Sequence, residues 1–304
     1  TKLTKLRQLS IDMNRLKSLD QIGSCSCLRI LSANNNAIGS VAPLGNCPEL
    51  EKVTLYRNQV ADLKGLSNLR WLQHLDLGRN ALRAVDGLGE CPMLQTLVLY
   101  ENQITYIGPN ALQAPMLREL WLSGNPLKSL DFAQWLPSLE HLHLSDAEVE
   151  NISPLANCGL LQTLDLSFNK VADLVDLGAL AACPLIQLLR LNDNPVATQP
   201  GYKETLISAL PALCDLDNDA VNDLPDRVKY SQKAFTGSGI VDSLALRSAW
   251  WLNDKTGNVD WQRVLRPDSC QHSGARRKDV WATRTFTQAC LLQRDDRARL
   301  VREE

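Results

Sequence analysis

His141 and His143 stand two residues apart in the phrase HLHLSDA, with Glu119 and Asp165 one 22-residue step away on either side. On a strand, residues i and i+2 share a face, so two imidazoles and two carboxylates would meet on one surface. Such a set could hold a metal ion, or it could be ordinary hydrogen-bonding surface. We read it as surface and expect neither a metal nor a cofactor. The nine cysteines pose a second question. Cys25, Cys47, Cys91, Cys158 and Cys183 each fall three residues before an apolar residue, as in GNCPEL and GECPML. A disulfide framework pairs cysteines by spatial need, whereas one recurring phase points to small reduced thiols filling equivalent buried slots. The pair Cys25 and Cys27 has no second Cys or His pair nearby to complete a zinc site.

A third group has no bond-making chemistry and suits docking. Tyr56, Arg57, Arg79, Tyr100 and Trp121 are of the residue types that dominate binding hot spots; His143 shares the periodic column of Trp121, and His74 is counted with them as an expected contact. No phosphate-cradling glycine loop, HExxH or GxSxG is present, and no cysteine is matched with a placed histidine. We therefore expect no catalytic residues and no enzyme.

The elements that must position these groups emerge from the periodicity. Leu28, Leu50, Leu72 and Leu94 are spaced 22 residues apart, and each opens the pattern L-x-x-L-x-L-x-x-N: LRILSANNN, LEKVTLYRN, LQHLDLGRN and LQTLVLYEN. Further units open at Leu6, Leu117, Leu139, Leu161 and Ile186, nine in all, with the phase slipping before Leu117 and Ile186. The L-x-L segment predicts a short strand with its leucines turned inward, and successive strands pair into one parallel sheet. The asparagine after each strand, from Asn14 and Asn36 to Asn169 and Asn194, is expected to hydrogen-bond backbone groups that would otherwise be buried unpaired. Ala147 interrupts that ladder, and a local bulge or water is expected there.

This pattern resembles the leucine-rich repeat. Its length is similar to that of the intracellular subfamily typified by a protein phosphatase-1 regulatory subunit. The implied fold is an α/β solenoid, a leucine-rich-repeat horseshoe with a parallel sheet on the concave face. Short helical or 3₁₀ segments would line the convex side, followed by a helical C-terminal cap and a mostly helical tail. The expected division is residues 1–193 for the repeats, 194–221 for the cap and 222–304 for the tail. The cap reading rests on Asn194-Pro195, Tyr202, Leu210-Pro211 and Leu213 to Asp217, with a helix around 202–210 and a strand at 214–216.

The x positions of each strand would line the concave face, the usual docking surface of a solenoid. One column contains Asp12, Asn34, Tyr56, Gly78 and Tyr100, and the next contains Met13, Asn35, Arg57 and Arg79. The L-x-L column includes Asp76, Trp121, His143 and Asp165. With strands about 4.8 Å apart, Tyr56 and Tyr100 would flank a gap left by Gly78. This patch is the expected contact for a protein partner.

The tail loses the repeat and carries Trp250, Trp251, Trp261 and Trp281. In TFTQACLLQRDDRARLVREE, residues Leu292, Gln293, Arg297 and Arg302 fit the IQ pattern, although Ala298 stands where glycine is usual. As a helix, the segment would present Gln293 and Arg297 on one face, suiting a calmodulin-like light chain; it also reads as an ordinary charged helix with opposite charges at i, i+4. The repeat array together with WLPSLEHLHLS, LDLSFNKVADL and NPVATQPGYKETLISALPAL resembles the leucine-rich-repeat and IQ-motif-containing proteins. That resemblance implies a ciliary or axonemal setting and calmodulin-like partners.

Composition bounds the remaining classes. A net charge of −2 in 304 residues lacks the positive surplus that phosphate binding needs. No apolar run approaches the roughly 18 residues of a membrane span. The start, TKLTKLRQLS, has no initiator Met and no apolar signal core, predicting an excerpt of a longer cytoplasmic chain that is a monomer on its own. The leading expectation is a non-enzymatic interaction scaffold. The rivals are a regulatory subunit of a Ser/Thr protein phosphatase and a plain structural spacer.

Overall fold

The computed structural model describes residues 3–221, apart from 90, 109 and 110. The IQ-like residues Leu292, Gln293, Arg297 and Arg302 and the four tail tryptophans lie outside the described residues.

Each repeat contributes one three-residue strand: β1 (Gln8–Ser10), β2 (Ile30–Ser32), β3 (Lys52–Thr54), β4 (His74–Asp76), β5 (Thr96–Val98), β6 (Glu119–Trp121), β7 (His141–His143), β8 (Thr163–Asp165) and β9 (Leu188–Arg190). They pair in sequence order, all parallel, so that Leu31 faces Val53 and Val53 faces Leu75. The middle residue of each strand from β2 to β9 is fully buried. Its two neighbours face the open side, as period-two alternation requires.

The return path of each coil is short. It forms 3₁₀ turns at Asp20–Ser24, Ala42–Asn46, Leu66–Asn68, Asp131–Trp135, Ser153–Asn157 and Asp176–Ala182. The last is seven residues long where most others have five. It absorbs part of the insertion before Ile186, and the pairing of Thr163 with Leu188 stays in register. Between sheet and return path runs one continuous aliphatic column, in which Phe132 is the largest fully buried side chain. Burying each leucine contributes about 1.5–3 kcal/mol. No coil can do this without its neighbours.

The asparagine ladder is explicit. Asn125, 1% exposed, donates through Nδ2 to the Leu99 and Leu122 carbonyls at 3.0 and 2.8 Å, and its Oδ1 accepts from Ile104 N–H at 3.0 Å. Asn58, Asn80, Asn102, Asn169 and Asn194 repeat the arrangement. At Ala147, where a local bulge or water is expected, the backbone bonds differ from those of the other coils. The Leu127 N–H, which an asparagine at 147 would engage, instead donates to the Asn125 carbonyl at 2.7 Å. Asp146 and Glu148 on either side both take positive φ, 55° and 57°.

Past β9, helix α1 (Tyr202–Ala209) packs Tyr202, Leu206 and Ile207 inward. Strand β10 (Asp215–Leu216) extends the parallel sheet, and β11 (Asp219–Ala220), which the sequence reading did not anticipate, turns back antiparallel. Asp217 ties this end together. Its Oδ1 accepts from the N–H groups of Leu191 and Asn192 at 2.6 and 2.8 Å, and its Oδ2 accepts from the Tyr202 hydroxyl at 2.8 Å. Burial and the Asp217 carboxylate both push the Tyr202 phenol far up, so it remains a donor.

Candidate docking face

The open side of the sheet carries most of the residues singled out by type. Tyr56 and Tyr100 do not leave a gap above Gly78: their ring centroids lie 6.1 Å apart, and the Tyr100 ring covers the glycine. Burial and the neighbouring Tyr56 hydroxyl push the Tyr100 phenol up to about 12, so it stays protonated at neutral pH.

Arg57 and Arg79, both exposed, belong to a file of residues in the left-handed region, φ 55° and 54°. Each is held in that disfavoured conformation by a backbone bond to the next coil, Arg57 N–H to Gly78 O at 2.8 Å and Arg79 N–H to Tyr100 O at 2.9 Å. Arg79 reaches Glu101 with two contacts, Nε to Oε2 at 2.7 Å and Nη2 to Oε1 at 2.8 Å, and its guanidinium carbon lies 6.0 Å from the Tyr56 ring centroid. Both partners are about half exposed, so solvent screening keeps the pair's contribution small.

Two coils further on, Trp121 and His143 stack face to face, ring centroids 3.8 Å apart and planes 18° from parallel. Trp121 Nε1 donates to Glu119 Oε1 at 2.8 Å. Burial lowers the His143 pKa despite the carboxylates of Asp165 and Glu119, with His141 and Arg190 adding to the lowering. His74 on β4 is likewise lowered by burial and by Lys52, against the opposing pull of Asp76 and Glu119. Beside the stack lies an open groove of about 640 Å³, bordered by Tyr100, Glu101, Trp121, Gly124, His143, Asp146, Asp165 and Arg190. Among the described residues, no group of three His, Cys, Asp or Glu is placed to hold a metal ion. No described helix is long and apolar enough to cross a membrane.

A family model described as Leucine Rich repeats (2 copies) matches residues 28–68 and 115–157, and one described as Leucine Rich repeat matches 158–174. The units are leucine-rich repeats. Among solved structures, a leucine-rich-repeat protein of Leptospira interrogans is 24% identical with a TM-score of 0.63, over 76% of this chain and 59% of its own. The internalin InlF of Listeria monocytogenes is 20% identical with a TM-score of 0.57, over 70% of this chain and 74% of its own. A plant peptide hormone receptor solved in complex with its peptide RGF2 is 19% identical with a TM-score of 0.52, over 70% of this chain and 40% of its own. These likenesses concern the fold. No curated protein matches the sequence.

On the leucine-rich-repeat face the structure brings Tyr56, Arg79 and Tyr100 into one cluster and Trp121 and His143 into another. His74 lies on the strand between the two tyrosine-bearing coils, and Arg57 is exposed. The sequence reading placed Glu101, Gly124 and Asp146 in the same column as Arg57 and Arg79 without naming them as binding residues, and it did not single out Arg190.

Proposed function

We propose that this chain is a non-enzymatic scaffold whose concave sheet docks a partner protein through the cluster running from Tyr56 to His143. One observation carries this reading: aromatic rings from four coils crowd the open side of a sheet whose own core is aliphatic. Rings gain more by burial than by exposure, and their types are those of binding hot spots. The plant receptor solved with its peptide is a precedent for ligand capture by this fold.

A second contact is proposed for Leu292, Gln293, Arg297 and Arg302, which would take a calmodulin-like light chain. Its support is the spacing of those residues, and the ciliary and cytoplasmic setting rests on the resemblance stated above. Affinity purification of the tagged chain, compared with Tyr100→Ala/Trp121→Ala, tests the docking face: the partner should be lost from the variant. Retention of every partner would overturn the reading, and co-purifying phosphatase activity would favour the regulatory-subunit alternative. Gln293→Ala/Arg297→Ala should abolish comigration with calmodulin in native gels while leaving the concave partner bound.

A further inference from the structure

We propose that the groove over the fifth to seventh coils takes its partner as an extended, uncharged stretch of polypeptide, one main-chain carbonyl of which accepts a hydrogen bond from the Ser123 N–H. This rests on the docking reading and names the form and chemistry of what docks.

The observation is a gap in the hydrogen bonds of the open side. Two residues past each strand from β2 to β9 stands a backbone N–H that a side-chain oxygen usually takes. Asn34 N–H donates to Asp12 Oδ1 at 2.6 Å, and Tyr56 N–H donates to Asn34 Oδ1 at 2.8 Å. Gly78 N–H donates to Asp76 Oδ1 at 2.9 Å, Ser145 N–H to Ser123 Oγ at 3.2 Å, and Ser167 N–H to Asp165 Oδ1 at 3.0 Å. Asn192 N–H is served by Asp217 at the cap. The equivalent N–H groups of Tyr100 and Ser123 have no acceptor among the described residues.

Residue types explain the gap. Except at the cap, the acceptor stands either two residues earlier or one coil back in the same column. For Tyr100 those positions hold Val98 and Gly78, which carry no side-chain oxygen. For Ser123 they hold Trp121, whose indole only donates, and Tyr100, whose hydroxyl pairs with that of Tyr56. The Tyr100 ring fills the space above Gly78, the place from which an acceptor would serve its own N–H. Ser123, which borders the groove, is thus left as the donor that a ligand can reach.

A partner that covers this N–H without an acceptor leaves a desolvated donor unpaired, which opposes binding. A helix spends its main-chain carbonyls on itself, whereas an extended segment keeps them free. Ser145 Oγ and the His143 ring also make no hydrogen bond among the described residues, and both can pair with the amide groups of such a segment. The acceptor is neutral. Asp146 and Asp165 border the same groove and would repel a carboxylate, while Arg190 already faces Asp165 at 3.6 Å.

The test titrates the nitrogen-15-labelled full chain with N-acetylglycine N-methylamide, an uncharged main-chain mimic, and separately with sodium acetate. In amide NMR spectra the Ser123 signal should shift with the mimic and shift less with acetate at equal concentration. The Gly124 signal, from an N–H already bonded to Ser145 O at 2.8 Å, should stay in place. Tyr100→Asn puts a carboxamide oxygen where Asn34 serves Tyr56, and it should abolish the Ser123 response. Tyr100→Ala, which removes the ring and supplies no oxygen, should keep that response and melt at a lower temperature than Tyr100→Asn. An unmoved Ser123 signal, an equal shift with acetate, a response that survives Tyr100→Asn, or one lost in Tyr100→Ala would each overturn the proposal. If partner capture remains sensitive to Tyr100→Ala/Trp121→Ala in that event, the docking reading survives and only the main-chain recognition falls.

Discussion

The Tyr100 ring lies so close over Gly78 that a β-carbon on the glycine would stand 2.7 Å from Tyr100 Cε1. The clash is with a side chain, not with backbone, so the ring can yield. Gly78→Ala should therefore cost little stability, about 1 kcal/mol or less, while displacing Tyr100 from Tyr56. Thermal unfolding should shift by only a few degrees, about 2–4 °C per kcal/mol, and partner capture should fall as it does for Tyr100→Ala. A large loss of stability with intact capture would contradict this geometry.

Asn125 satisfies three backbone groups from within the core. Asn125→Ala should destabilise by about 2–4 kcal/mol, because each orphaned buried group costs about 1–3 kcal/mol and some relax. The converse change, Ala147→Asn, restores a rung and should stabilise by about 0.5–1.5 kcal/mol. Urea unfolding of the two variants measures both signs.

Stability should depend on the protonation of the lowered histidines. His143 and His74 have folded-state pKa values below the ordinary 6.5, so between those values the unfolded chain binds more protons than the folded one. Their favourable contribution is complete above pH 6.5 and is lost as the pH falls through the folded values. Melting temperature should drop between pH 7.5 and 5.5, and His143→Gln should flatten that drop. A slope unchanged by the substitution would refute the assignment to His143.

The buried thiols should be inert. Burial pushes Cys158 up to about 11 and Cys183 up to about 12, and their Sγ atoms donate to the Ala133 and Leu155 carbonyls. At neutral pH neither is a thiolate, and the thiolate is the nucleophile. Cys27, exposed in the same region of sequence as buried Cys25, should react. Iodoacetamide labelling of the native chain followed by peptide mapping should modify Cys27 and spare Cys158 and Cys183.

Much of this was legible because a 22-residue period leaves the chain one way to bury its leucines. The strands, their parallel order, the asparagine ladder and the set of buried cysteines all follow from position within the unit. Three features were not legible. The left-handed backbone at Arg57 and Arg79, just before the ladder asparagines, is one, because a linear pattern of apolar positions does not encode it. The joining of Tyr56 to Tyr100 over Gly78, and of Trp121 to His143, depends on side-chain rotamers chosen between coils; the columns specify proximity without specifying contact. Ala147 was recognisable as a missing rung, but the bond from Leu127 to Asn125 that closes the turn depends on local backbone freedom. Whatever Leu292 and Gln293 do lies beyond the described residues.

The missing rung at Ala147 falls between the sixth and seventh coils, and these are the coils that Trp121 and His143 join across the sheet. Among the junctions from Asn36 to Asn194, this one lacks an asparagine side chain bridging the two backbones, so it is the seam along which the stack parts most readily. A ligand lying across the Trp121–His143 stack would clasp that seam from outside. Its capture would then be felt as resistance to opening, with amide protons near Leu127 and Val149 exchanging more slowly in the complex than in the free chain.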